Sequence, residues 1–488
     1  MLRVSVAAEK AGVPAVSIIA TPFLALARAV AKGLGAANPA IAEYPGVPMI
    51  DTDEQLRDKV VTRLLPQIIE GWGNRTKQTP RLEPVIEPRP RDIVFKGTFQ
   101  QLQDFFDEQL WTDGLPVAPP TLERVEEFLK FTDRAPDEVL GICQPEFREA
   151  TIWNIAVNGV MAGCRPEYMP VLIAVVEAMV DPKFFLEDAG ATPGWEPLII
   201  LNGPIIKELD FNYGGGVMRI GRRANTSIGR FVRLFIRNVP GQRISSGGVD
   251  RATGLKFGGT DKASIGMSFN VVLAENEDAV AEMGWAPFGV DQGFARGENV
   301  VTVQSVLSLS QSVYTAGKAA SKHMEIIAEA IGHLFHYRSY TGIRHRKIFP
   351  LFLLGPAVAK AIADDGWSKD DVRKYLYDNV KMPAALVEKY ARNTAQNDYD
   401  LKEFVKSGMI PSEYYESDDP NRLVRVFVKP EWIGIVVAGD PGRNQSKGFV
   451  QNHRQGVPVS KRIRLPDDWQ RLLKQSSRSL SDLAPTNS

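Results

Sequence analysis

Sulfur and histidine are scarce in this sequence. Its 488 residues include two cysteines, Cys143 and Cys164, and five histidines. Two cysteines cannot build a disulfide framework, and no CxxC pair occurs, which fits a reducing compartment. Net charge is absent as well, since 58 basic residues balance 58 acidic ones. Such a chain exerts no long-range pull on nucleic acid or on an anionic membrane, so neither is expected as a partner. No apolar run reaches the roughly 18 residues of a membrane span. The opening MLRVSVAAEKAGVPAV lacks the basic and apolar regions of a signal peptide. A cytoplasmic location is therefore expected. Walker A, GxGxxG, HExxH and GxSxG patterns are missing, so no nucleotide, zinc-protease or serine-hydrolase class follows and no cofactor is implied.

What remains is an ordinary globular composition, 44% apolar and 24% charged, long enough for two or three domains. Residues 1–73 read as a small α/β unit. AVSIIAT and AIAEYPG are short apolar runs, and PFLALARAVAKGLG has helical spacing with proline at its start and glycine at its end. DEQLRDKVVTRLLPQIIEGW predicts a last helix with Pro66 as a kink. Strands alternating with helices predict a parallel sheet. Residues 74–95 carry four prolines and many charges and read as an extended linker. Residues 96–488 read as one large mixed α/β region, with room for two subdomains. Its candidate strands are PLIILNG, MSFNVVLAEN, NVVTVQSV, IFPLFLLG, RLVRVFV and WIGIVVAG. Ser368 and Asp371 form a capping-box pattern between them.

Four stretches offer chemistry. In GVMAGCRPEYMPVLIAVVEAM, Cys164 precedes a helix that starts near Pro166, with Arg165 beside it and Glu167 in the first turn. A helix N-terminus and a guanidinium both favour thiolate, which predicts a lowered pKa. The alternative is a small apolar residue filling a helix corner. Cys143 reads as structural. In FNYGGGVMRIGRRANTSIGRFVRLFIRN, three glycines allow close backbone approach, and Asn225, Thr226 and Ser227 are placed to cap a helix. Arg222, Arg223 and Arg230 are candidates to clamp a carboxylate or phosphate, against the alternative of solvated arginines on a glycine-rich turn. WTDGLPVAPPT is a stiff loop in which Asp113 can line a pocket or simply join two helices. VVAGDPGRNQSKGF places Asp440, Arg443, Asn444 and Ser446 after a strand, where ligands settle in open α/β sheets. His333 and His336 share a helix face, but a metal site needs a third ligand that the local pattern does not supply.

SVAAEKAGVPAVSIIATPFLALARAVAKGLG and IAEYPGVP resemble the UGSC-type (seleno)protein family. DGLPVAPPT, MAGCRPEYMPVLIAVVEA, NGP and RRANTSIGR resemble scattered motifs of a larger region described loosely as thiol–disulfide oxidoreductase. The resemblance implies redox chemistry at a selenocysteine or cysteine followed by Gly-Ser-Cys, just ahead of a helix. That motif is absent, and Met1 stands where its tail would lie. Two expectations compete: the natural start lies upstream, beyond an in-frame selenocysteine codon, or this member keeps the scaffold without the motif. If the motif is truly absent, Cys164 is the remaining candidate nucleophile.

The leading expectation is an enzyme of thiol-dependent redox or sulfur chemistry on a small anionic molecule. Cys164 would attack, Asp113 or Glu167 would move the proton, and Arg222, Arg223, Asn225, Thr226, Arg230 and Asp440 would hold the substrate. The alternatives are a cofactor-free or metal-dependent hydrolase or lyase, and a non-catalytic subunit docking a redox partner protein. A homo-oligomer is the expected assembly.

Overall fold

The computed structural model describes the chain apart from residues 1, 11–12, 34–35, 37–38, 49–50, 74–88, 190–192, 245–260, 262, 264, 270, 395, 452–456 and 482–488. Most of the predicted linker, and His453, lie outside the described residues. The fold is α/β throughout.

The N-terminal part follows its sequence pattern closely. Strands β1 (Ser17–Ala20) and β2 (Ile41–Tyr44) pair in parallel, Ser17 opposite Ile41. A helix over Leu24–Gly33 connects them. The last helical run starts at Asp53, where Thr52 and Gln55 exchange side-chain and backbone bonds as a capping box. A wider π turn over Val60–Leu64 precedes the helix Leu65–Gly73, so the irregularity lies on the N-terminal side of Pro66. Leu2, Val6, Ala27, Val30 and Ala31 form a small core against which Phe147 also packs. Ala42, Tyr44 and Leu64 form a second.

Further along, β3 (Val139–Cys143) and β4 (Arg148–Thr151) make an antiparallel hairpin. The main sheet then takes up β5 (Glu196–Asn202), β6 (Val272–Ala274), β7 (Val300–Leu309), β8 (Val313–Tyr314) and β9 (Leu351–Leu354). Short β10 (Lys381–Pro383) and β11 (Leu423–Arg425) pair apart from it. Three more strands, β12 (Gly434–Val437), β13 (Gln445–Gln451) and β14 (Val459–Arg462), complete the main sheet. Its order is β12-β9-β13-β7-β5-β6, with β14 on β7 and β8 on β13. The pairs β9–β12 and β5–β6 are parallel, and β13 and β7 run antiparallel to their neighbours.

Side chains alternate across this sheet as strand geometry demands. Leu351, Leu353, Val436, Phe449, Leu198, Ile200 and Leu273 face one another in a single cluster. Their neighbours point the other way. Ile199, Leu201 and Val272 pack on the helices Ile152–Met161, Met169–Val180 and Arg223–Asn238. Phe352, Leu354, Ile435 and Val437 pack on a second helical layer that includes Pro356–Asp364 and Lys369–Asn379. The capping box at Ser368 and Asp371 starts the last of these as the sequence predicts.

The two ends of the strand order meet. Asn276 N donates to Val437 O at 2.7 Å, and Val437 N donates to Glu275 Oε1 at 3.2 Å. Glu275 is fully enclosed and also accepts from Asn202 Nδ2 at 2.7 Å and Phe288 N at 2.6 Å, with Lys369 Nζ 3.9 Å away. The sheet therefore curls into an incomplete barrel around the central cluster, and Phe288 packs into that cluster.

Candidate functional site

The open end of this curled sheet holds a cavity of about 660 Å³. Its walls are strand ends: Leu309 of β7, Leu353 of β9 and Gly355 after it, Ala438–Asp440 after β12, and the first half of β13. The glycine-rich loop Gly216–Arg219 closes one side. Gly439 N donates to Tyr213 O at 2.9 Å, so the glycine-rich stretch and the β12 exit, far apart in sequence, are bonded to each other. Both turns use the left-handed region, Gly216 at φ 72° and Gly439 at φ 114°, which a side chain would strain.

Three cations, Arg219, Arg443 and Lys447, line this cavity against one carboxylate, Asp440. Lys447 lies opposite Leu353 in the register, so its side chain emerges on the inner face, where Nζ donates to Ser310 O at 3.0 Å. Burial lowers its pKa. Arg443 Nε is 3.8 Å from Asp440 Oδ2, and Gly442 N donates to Asp440 Oδ1 at 2.8 Å. The helix Pro356–Asp364 begins at Gly355 on the wall and adds the positive end of its dipole.

Behind the wall residue Ser268 lies Glu196, the first residue of β5, only 5% exposed. Ser268 Oγ donates to Glu196 Oε1 at 3.2 Å, and Arg233 Nη1 reaches Glu196 Oε2 at 3.3 Å. Burial pushes the Glu196 carboxyl up to about 7, against the lowering influence of Arg233 and Ser268.

The predicted thiol site is elsewhere and is built differently. Cys164 does precede a helical start, a single 3₁₀ turn at Pro166–Tyr168 running into Met169–Val180. It is 6% exposed, and burial pushes its thiol up to about 12, outweighing a hydrogen bond with Ser227 and the charges of Arg223 and Arg230. The expected lowering is therefore reversed, because desolvation of a sealed sulfur exceeds what neighbouring cations return. Cys143 is buried too, and its thiol is likewise pushed up to about 12.

The arginines predicted to clamp an anion have protein partners. Arg230 holds Asp113 through two bonds of 2.8 Å and also donates to Pro116 O at 2.9 Å. Burial would raise Asp113, but the Arg230 bonds and charge leave it below the usual carboxylate range. The WTDGLPVAPPT loop is thus tied to the helix Arg223–Asn238. Arg222 pairs with exposed Asp210 at 2.7 Å, and Arg223 donates to Gly163 O at 3.1 and 3.2 Å. The capping expectation is corrected as well. The helix begins at Arg223 with Arg222 as N-cap, which places Asn225, Thr226 and Ser227 inside it. Asn225 instead bonds Asn212 and Val272 backbone groups, and Thr226 Oγ1 accepts from Gly221 N. Glu167 is buried, 3.7 Å from Arg165 and bonded by Ser476 Oγ at 3.2 Å. Of the residues singled out from the sequence as candidate site residues, Asp440, Arg443 and Ser446 are on the cavity wall.

His333 and His336 do share a face, their Nδ1 atoms 3.1 Å apart. Among the described residues no three His, Cys, Asp or Glu side chains gather as a metal-binding group. His323 is buried and bonded to Thr315 Oγ1 and Gly317 O. Val61, Leu65, Ile69 and Trp72 stand exposed along the last N-terminal helical run. No described helix is long and apolar enough to cross a membrane.

Sequence reasoning passed over Arg219, Lys447, Glu196 and Ser268. Glu196 had a signal, a lone carboxylate opening the apolar run EPLIILN. Lys447 sits in QSKGFVQ, whose polar residues and glycine read as a loop but form β13. Nothing local marks Ser268.

Fold and site together define an α/β protein with a cation-lined cavity at the open end of a curled mixed sheet. Comparison with known families adds that residues 1–74 match the model of the UGSC family. The match ends there, short of the curled sheet and its cavity. No curated protein and no solved structure matches the chain.

Proposed function

We propose that this chain is a cytoplasmic enzyme that holds a small anionic molecule at the open end of its curled sheet and acts on it by proton transfer, as a cofactor-free hydrolase or lyase does. The supporting observation is the convergence of Arg219, Arg443 and Lys447 with Asp440 on one cavity of about 660 Å³. Concave sites with a few converging polar groups are where small ligands bind, and charge-assisted bonds from fixed cations favour carboxylates and phosphates. The thiol-disulfide reading suggested by the scattered motifs carries less weight, because Cys164 is sealed and its thiol is pushed up to about 12. A docking role for the first unit keeps one observation in its favour, the exposed row Val61, Leu65, Ile69 and Trp72.

The test is ligand-induced stabilisation of the full chain. Sulfate, inorganic phosphate and malonate should raise the melting temperature in a saturable way. Arg219→Ala and Lys447→Met should each weaken the apparent affinity about tenfold, the loss of one charge-assisted bond of about 1.5 kcal/mol. Alkylation with a thiol reagent under native conditions should leave the effect intact. A melting temperature indifferent to all three anions would sink the reading.

A further inference from the structure

We infer that Glu196 is the proton-holding group of this cavity and that the Ser268 hydroxyl connects it to whatever the cavity binds. The inference rests on the anion-site reading above and deepens it.

Three observations carry it. Glu196 is enclosed, yet one of its oxygens accepts a bond of 3.2 Å from Ser268, a residue of the cavity wall. A buried carboxylate next to a ligand cavity costs stability, and retaining one calls for a purpose. Second, among the described residues the charges around it do not balance. Arg233 is shared between Glu196 at 3.3 Å and Asp261 at 3.0 Å, so one cation serves two carboxylates. One proton on the pair restores neutrality. Third, the strand alongside places a residue that does not titrate, Val306 of β7, opposite Glu196. The groups that face it among the described residues are therefore Arg233 from the helix Arg223–Asn238, and Asp261 and Ser268 from the segment before β6. The carboxyl pushed up to about 7 by burial agrees with this arrangement, since it gains or loses its proton near neutral pH.

The step is a proton transfer with no change of oxidation state. An acidic O–H or C–H of the bound molecule gives its proton to Ser268 Oγ, while Ser268 passes its own proton to Glu196 Oε1. The bound molecule gains one negative charge, which faces Arg219, Arg443 and Lys447. Glu196 becomes a neutral acid, and Arg233 is left to Asp261.

Malonate, a dianion above pH 7, is the probe. Calorimetric titration of the full chain in two buffers of different ionisation enthalpy counts the protons taken up on binding. An added anion raises the Glu196 pKa, so the wild-type chain should take up a sizeable fraction of a proton per malonate near pH 7, and its affinity should fall several-fold from pH 6 to pH 9. Glu196→Gln should bind malonate with no uptake and with a flat pH profile. Ser268→Ala removes a donor that favours the ionised carboxylate, so its uptake should shift to higher pH. Malonate binding with no proton uptake, or with uptake unchanged in Glu196→Gln, overturns this inference and leaves the anion site standing. No binding by the wild-type chain removes both.

Discussion

Individual side chains in this protein are governed by how much water they lose. Cys164 and Glu196 are buried to nearly the same extent, at 6% and 5% exposure, and burial raises both. The consequences differ because their ordinary values differ. A thiol pushed up to about 12 stays protonated across physiological pH, whereas a carboxyl pushed up to about 7 titrates within it. The carboxyl therefore leaves a signature in stability. Below pH 4.5 Glu196 is neutral in both folded and unfolded chains. Between 4.5 and about 7 the unfolded chain releases the proton and the folded chain retains it, so stability falls as pH rises. Above that window the full cost is present. Glu196→Gln should therefore gain on the wild type between pH 5 and pH 8, by about 3 kcal/mol from the size of the shift. Urea unfolding at the two pH values checks this. An equal difference at both would mean that the carboxyl titrates normally.

Elements show the same dependence on surroundings. The apolar strands β5, β7, β9 and β12 were readable because their residues are hydrophobic whichever face they present. Strand β13 was not. Gln445, Ser446, Lys447 and Gly448 have low strand preference, and they form a strand because β7 and β9 supply backbone partners on both sides. Gly448 has a packing reason, since an added Cβ would press on Ile331 Cγ2 from the second helical layer. Gly448→Ala should cost about 1–3 kcal/mol by overpacking. Thermal unfolding measures it, and a variant as stable as the wild type would show that Ile331 gives way. The helix Arg223–Asn238 carries the opposite lesson. Its N-terminus lies earlier than its capping-type residues suggested, because Asn225 bonds the Asn212 backbone and Val272 instead of the helix's own first turn.

At the scale of the whole molecule, one enclosed carboxylate joins the ends of the sheet. Glu275 accepts bonds from Asn202, Phe288 and Val437 and lies 3.9 Å from Lys369. Lys369 is held by Asp291 at 2.9 Å, so the charge network continues beyond it. Removing the carboxylate strands the buried backbone N–H groups of Phe288 and Val437 and leaves the Lys369 ammonium to Asp291. Glu275→Ala should lower unfolding free energy by about 3 kcal/mol or more, measured by guanidinium denaturation. A loss under about 1 kcal/mol, the worth of an exposed ion pair, would mean that the ends of the sheet are held by other contacts. The closure matters for function because the cavity walls are the ends of strands whose spacing depends on the curl.

The sequence by itself determined the α/β class, the parallel pairing of β1 with β2, and the helix starts at Asp53 and after Ser368, because periodicity and capping act over a few residues. It also marked Gly214–Gly216 and Asp440 as places of unusual backbone or charge. Only the tertiary structure decided that these two stretches share a cavity, that Arg222, Arg223 and Arg230 have protein partners, and that Cys164 is shut away from water. The reason is that burial and pairing belong to the order of strands in the sheet. Arg219 and Lys447 become neighbours through that order and through no feature of either residue's own surroundings in the chain.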